Sequence, residues 1–233
     1  MAPPKQQNAN AQSGQTAQLS AQVTYDRAAA CAYAVHFAPD GKLCHDDALA
    51  GKVTGRTVFS FVEAPRAVGE NDCTHFVSCC IGDHGGHFTR NGTSHPVKAA
   101  DALPGGNVHL VGEFSLQVYG YVSAPGFVSH LLSSHKAEHV DRLMIEYKDL
   151  TDPLNTDPLD NARATLTTWE KDQKIMKGDV LVYSNTANIN DAGHLALYMG
   201  DQLICCHSDN RLNKPFSDVA HQFVGFLHIV KCK

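Results

Sequence analysis

The chain is short of what several large classes of protein require. It has a single tryptophan, and no apolar run approaches the roughly 20 residues of a membrane-spanning helix. Nineteen Lys and Arg against 24 Asp and Glu leave a net charge of −5. The basic residues are scattered, so the chain carries no electrostatic footprint for nucleic acid and no polybasic membrane patch. The first residues lack the basic and hydrophobic regions of a signal peptide. Neither Cys-x-x-Cys nor His-Glu-x-x-His occurs. The clusters Cys44-His45-Asp46-Asp47 and His84/His87 therefore lack the spacing of a recognised zinc site, and neither a metal nor a cofactor is expected. Eight cysteines, among them the adjacent pairs Cys79-Cys80 and Cys205-Cys206, do not resemble a disulfide framework in 233 residues. Synthesis in a reducing cytoplasm is the simplest reading.

What is there centres on residues 71–80, Asn-Asp-Cys-Thr-His-Phe-Val-Ser-Cys-Cys. A helix opening at Cys73 places Phe76, Val77, Cys80 and Ile81 at the three-and-four spacing of a buried face. Cys73 then sits in the first turn, where unpaired backbone N–H groups and the positive end of the helix dipole favour a thiolate. A nucleophile needs that environment. Free cysteine is more often a small buried hydrophobe, however, so partner residues must decide between the two readings.

Candidate partners lie in residues 177–216. Residues 177–183 read as a turn and a strand, and residues 194–200 alternate with Leu195, Leu197 and Met199 on one face. Gly200-Asp201 suits a two-residue type II′ turn, with residues 202–207 returning as the paired strand. That register makes His194 and His207 direct cross-strand neighbours, about 5 Å apart on one face. One imidazole would take the thiol proton while the other fixes its tautomer. Asp209, two residues on, is the alternative orienting group.

The segments Asp-Cys-Thr-His-Phe-Val-Ser (72–78), Gly-Asp-Val-Leu-Val-Tyr (178–183), Gly-His-Leu-Ala-Leu-Tyr-Met-Gly (193–200) and Cys-His-Ser-Asp-Asn (206–210) occur in this order. Together with the 25–34 stretch, Tyr-Asp-Arg-Ala-Ala-Ala-Cys-Ala-Tyr-Ala, they resemble a bacterial putative-amidase domain of the papain-like NlpC superfamily of cell-wall cysteine peptidases and amidases. The resemblance implies Cys73 as nucleophile, His194 as base and His207 as the group that orients it. Two departures bear on specificity. His75 stands where the family commonly has Asn, and Asp-His-Gly-Gly-His (83–87) stands where the family has tryptophans flanking a glycine pair.

In chain order, residues 1–22 are low in complexity and read as a disordered tail, leaving residues 23–233 as one domain. Thr24 would cap a first helix with Asp26 in its first turn, running to about Phe37 and stopped by Pro39. Residues 40–51 read as loop, 57–62 as a short strand, and 83–106 as a loop beside the cleft. Residues 107–123 alternate like a strand broken near Gly112 and Gly120. A helical insert spans about 125–172. It comprises one or two turns over 127–133, a helix over 136–150 with Val140, Leu143, Met144 and Tyr147 at helical spacing, and a short helix over 161–172. Residues 222–232 are apolar on both faces, as in a strand buried on both sides. The whole reads as an α+β fold of the papain-like, NlpC type, with N-terminal helices packed on an antiparallel sheet.

The expected function is amide hydrolysis through a thioester, with the Cys73 backbone N–H as oxyanion donor and support from Asp72. The resemblance favours peptidoglycan or its peptides as substrate, by an amidase or endopeptidase acting as an antibacterial effector. The same site could serve a deamidase, transacylase or protease toxin acting on proteins or lipids, or survive in an inactive binding module. Without a signal peptide, the expected route to a cell-wall substrate is specialised secretion to the periplasm or exterior, with phage-style release on lysis or an intracellular target as the alternatives. Effectors of this kind often have an immunity partner, which these residues do not identify.

Overall fold

A computed structural model describes residues 25–39, 47–55, 73–82, 85–86, 109–111, 114–116, 124–133, 137–145, 158–207, 211–220 and 225–233. Three helices come first: α1 (Arg27–Phe37), α2 (Asp47–Thr54) and α3 (Cys73–Ile81). A small hairpin follows, β1 (His109–Val111) and β2 (Phe114–Leu116), and then α4 (Ala124–Ser133), β3 (Ala137–Met144) and α5 (Pro158–Lys171). The C-terminal part holds β4 (Val180–Ser184), β5 (Ala192–Gly200), β6 (Leu203–Cys206), β7 (Arg211–Pro215), α6 (Ser217–Ala220) and β8 (Phe226–Cys232). Six strands form one sheet in the order β3-β8-β4-β5-β6-β7, antiparallel throughout. The fold is α+β.

Alternation along the central strands explains why helices lie on both sides of that sheet. Val180, Val182, Leu195 and Leu197 pack with α1, α3 and α4, through Tyr33, Phe76 and Phe127 among others. The intervening Leu181, Tyr183, Ala196 and Tyr198 pack with α5 and α6, through Leu166, Trp169 and Val219. In β8, Val230 belongs to the first core and Leu227 and Ile229 to the second. The strand is thus buried on both faces, as its apolar run indicates.

Several elements differ from the sequence reading. The N-cap of α1 is Asp26 itself, whose Oδ1 accepts from Ala29 N at 2.9 Å; Asp26 does not lie inside the first turn. Residues 47–54 are helical rather than loop. Residues 137–144 form a strand and not a helix. The spacing of Val140 and Leu143 arises from an irregularity between His139 and Asp141, which lets both pack on the second core. The backbone groups of β8, buried in the sheet, need partners on both edges; β4 supplies one set and β3 the other. The 125–172 segment therefore contributes a sheet strand between two helices. α5 is also longer than expected and starts at Pro158, a position where the missing N–H costs nothing. The expected tail at 1–22, Thr24, the 57–62 run and Tyr147 lie outside the described residues.

One polar junction ties the start of α1 to both ends of the sheet sequence. Arg27 Nη1 donates to Asp179 Oδ1 at 2.6 Å and to Lys177 O at 3.1 Å, while Nη2 donates to Cys232 O. The two Asp179 oxygens also accept from Met176 N at 2.7 Å and Cys232 N at 2.9 Å. Beside them, Tyr25 OH donates to Gly178 O at 2.6 Å. Asp26 N donates to Gly86 O at 3.0 Å, and Gly86 N to Cys80 O at 2.8 Å. A Cβ on Gly86 would lie 2.1 Å from the Tyr25 ring, and one on Gly85 would lie 1.9 Å from Cys80 O. The glycine pair after α3 is thus a packing requirement.

Asp179 is fully buried, and burial pushes its carboxyl above the ordinary value of 3.8 although Arg27 and two backbone N–H groups pull it down. A raised acid binds its proton more tightly when folded, so its ionisation costs stability as pH rises through the raised value. Arg27→Ala should cost about 3–5 kcal/mol at pH 7, because it leaves a buried carboxylate without its cation. Its deficit should shrink as pH falls from 7 towards 4, because a proton on Asp179 removes the uncompensated charge, and Arg27→Ala/Asp179→Asn should be more stable than Arg27→Ala alone. Urea unfolding of these variants at both pH values measures both effects.

Candidate functional site

Cys73 is the first residue of α3 and is 6% exposed, with Sγ 3.8 Å from Thr74 Oγ1. The buried face of the helix is the one its spacing predicts, with Phe76, Val77, Cys80 and Ile81 fully enclosed in the first core. That packing sets α3 against β5 and β6.

The hairpin turn is displaced by one residue from its expected place. Asp201 and Gln202 are its central residues, with φ of 53° and 63°, and Gly200 pairs with Leu203. Two positive φ values are the mark of a type I′ turn, which ordinarily calls for Asn or Gly. Here α5 holds the turn in place. The Glu170 carboxylate accepts from Asp201 N at 3.0 Å and from Tyr198 OH at 2.8 Å, and that hydroxyl accepts from Gln202 N at 3.2 Å. An irregularity between Tyr198 and Gly200 then sets Leu197 opposite Cys205.

This register moves His207 out of the expected pairing. Continued along the hairpin, it opposes His207 to Leu195 rather than His194, and β6 itself ends at Cys206. A one-residue slip exchanges the faces of a strand. His207 accordingly lies on the α3 side, fully buried, its ring stacked on Phe76 at 4.1 Å between centroids and 24° between planes. Its Nε2 is 2.7 Å from Phe37 O. His194, 7% exposed, pairs across the ladder with Tyr183, the two rings 5.8 Å apart. The direct His194/His207 pair expected from the sequence does not form.

The α3 side thus holds His207, while His194 shares the ladder position and face of Tyr183, whose ring packs in the core with α5 and α6. Residues 194 and 207 are both at the end of the hairpin away from the 201–202 turn, and Phe76, one helical turn after Cys73, touches His207. The link preceding β5 is rigid as well. Ser184 Oγ donates to Thr186 O at 2.9 Å, Thr186 Oγ1 donates to Asp191 Oδ2 at 2.6 Å, and Asn188 Oδ1 accepts from Asn190 N at 3.1 Å. These bonds position a short 3₁₀ turn (Ile189–Asp191) immediately before Ala192, Gly193 and His194. Asp72, Asp209, His84, His87 and the Cys44-His45-Asp46 cluster lie outside the described residues.

The remaining thiols contrast with the environment a nucleophile requires. The seven described cysteines form no disulfide. Burial pushes Cys31 and Cys205 up to about 11 and Cys206 up to about 12, and it raises Cys80 and Cys232 well above the ordinary thiol value. Cys73 lies close enough to Cys206 that a negative charge on it adds to that rise. Among the described residues no three His, Cys, Asp or Glu side chains converge as a metal cage, and no described helix is long and apolar enough to cross a membrane.

The fold is an α+β domain in which the helix that starts at Cys73 packs against the antiparallel hairpin of β5 and β6. Residues 24–225 match the family model described as the putative amidase domain, and the chain belongs to that family. No curated protein and no solved structure matches it. The Tyr25/Arg27 and Gly178-Asp179 segments that help to carry the sequence resemblance touch one another in the junction at the start of α1. The contacts that sequence reasoning missed are the aromatic stack on His207 and the Phe37 carbonyl. Phe76, three residues after the cysteine, was legible only as a core position.

Cys31 is half-exposed yet held protonated by burial. Its alkylation by iodoacetamide should therefore be slow at pH 7 and rise about tenfold per pH unit up to pH 10, because the thiolate is the reacting form. Peptide mapping of the alkylated protein across that range measures the slope.

Proposed function

We propose that this protein is a papain-like cysteine hydrolase of the NlpC type that cleaves an amide bond in peptidoglycan peptides. The observation that carries the reading is the position of Cys73 at the start of a helix whose next turn packs against the histidine hairpin, in a chain of an amidase family. In this reading His194 removes the Cys73 proton and the thiolate attacks the amide carbonyl. The imidazolium then protonates the departing amine, leaving a thioester on Cys73. Water, deprotonated by His194, hydrolyses the thioester and returns the free thiol. The backbone N–H of Cys73, at the helix start, is the proposed donor to the oxyanion, with Asp72 next to it in sequence.

His207 is proposed as the second imidazole of the site, the one that settles the orientation of the base, with Asp209 as the competing candidate. Cell-wall peptides are the proposed substrate because the motifs around residues 73, 178 and 193 resemble cell-wall amidases. An effector role and delivery by a secretion system follow from that substrate and are part of the same proposal.

Peptidoglycan incubated with the protein should yield new muropeptides by mass spectrometry, and their masses would identify the bond cut. Cys73→Ala should release none while unfolding at the same urea concentration as the parent. His194→Ala should lose most of the activity, and His207→Ala a smaller share. Retention of activity by Cys73→Ala would remove the cysteine mechanism. An inert parent whose Cys73 still alkylates selectively at neutral pH would transfer the proposal to a protein or lipid amide.

A further inference from the structure

His207 is held on two sides by groups that no motif identifies. Its ring lies against Phe76, on the helix that starts at Cys73, with planes only 24° apart. Its Nε2 lies 2.7 Å from the main-chain carbonyl of Phe37, the last residue of α1. A carbonyl oxygen only accepts, so that contact requires the proton on Nε2. In the neutral ring the lone pair is then on Nδ1. The imidazole is fully buried, so a flip that exchanged the two nitrogens would break the stack or leave the Phe37 contact.

We infer that Phe76 and the Phe37 carbonyl are a positioning pair that locks His207 as the Nε2–H tautomer, with Nδ1 as its acceptor for the hydrolase site. The inference rests on the cysteine-hydrolase reading for its function, though not for its geometry. One helix carries both the nucleophile and the ring that holds the second histidine, so the separation between Cys73 and His207 is set by a single rigid turn. The end of α1 fixes the orientation of the same ring from the other side. The consequence is that the ring presents Nδ1, and not Nε2, as its accepting nitrogen without first reorganising.

The test is long-range ¹H–¹⁵N correlation spectroscopy on the full chain labelled with [¹⁵N]histidine, with His207 assigned through NOEs from the Phe76 ring. Neutral His207 should show a protonated Nε2 and an unprotonated Nδ1, whereas the Nδ1–H tautomer would overturn the inference. In Phe76→Leu, His207 should populate both tautomers, and kcat on peptidoglycan should fall about tenfold or more with KM little changed. Phe76→Tyr, which keeps the stack, should recover the single tautomer and most of kcat. Unchanged tautomer and unchanged kcat in Phe76→Leu would also overturn it. The two claims fail separately: an active Cys73→Ala removes the cysteine mechanism and leaves the tautomer result standing, and a wrong tautomer in an enzyme that needs Cys73 removes only the positioning pair.

Discussion

The buried ion pair between Arg27 and Asp179 is the constraint on which the arrangement of the chain depends. It joins the first turn of α1 to the residue that precedes β4, and through Cys232 it also fastens the end of β8. Asp179 has no access to water, so its charge is tolerable only while Arg27 and the backbone donors at Met176 and Cys232 face it. Alternative placements of α1 would strand that carboxylate. A contact of modest net worth can in this way exclude competing arrangements, because breaking it is costly. Tyr25 extends the same joint to Gly178, and Asp26 extends it to the glycine pair behind α3. Two of the five segments that bear the family resemblance, at residues 25–34 and 178–183, are thereby joined, with the end of α3 held beside them.

Around that joint the sheet acts as a two-sided floor. Because β4, β5 and β8 carry apolar side chains on both faces, both faces must be covered, and the chain covers them with different helices. The face that receives α1, α3 and α4 is the face of the candidate nucleophile. The opposite face, with α5 and α6, holds the hairpin turn through Glu170. Although α5 is on the far side from α3, it sets the register that decides where His207 lies.

The candidate site differs from its surroundings in kind. Cys31, Cys80, Cys205, Cys206 and Cys232 are packed as small hydrophobes whose thiols are pushed towards the neutral form by burial. Cys73, 6% exposed, is instead the first residue of a helix, at the positive end of its dipole. The two histidines are placed by different means. His194 is delivered by a strand whose lead-in is braced by Ser184, Thr186 and Asn188, and His207 is gripped by an aromatic ring and a main-chain carbonyl.

Local pattern alone determined a good deal. The helix from Cys73, the helix from residue 27 to 37, the strands around residues 181 and 197 and the doubly buried last strand all follow from apolar periodicity, which acts within a few residues. The candidate residues Cys73, His194 and His207 could be named from motif order. Tertiary structure decided what depends on contacts distant in sequence. Residues 137–144 carry a helical spacing yet became a strand because β8, some ninety positions later, needed a partner for its buried backbone. The hairpin turned at 201–202 because a glutamate thirty residues earlier accepts its N–H, and no local signal can register that carboxylate. A two-residue turn moved by one shifts the pairing by two and keeps the faces; the irregularity between Tyr198 and Gly200 takes one position back. With a side-chain period of two, that single-residue difference exchanged the face of His207 and gave it Phe76 and the Phe37 carbonyl as neighbours in place of His194.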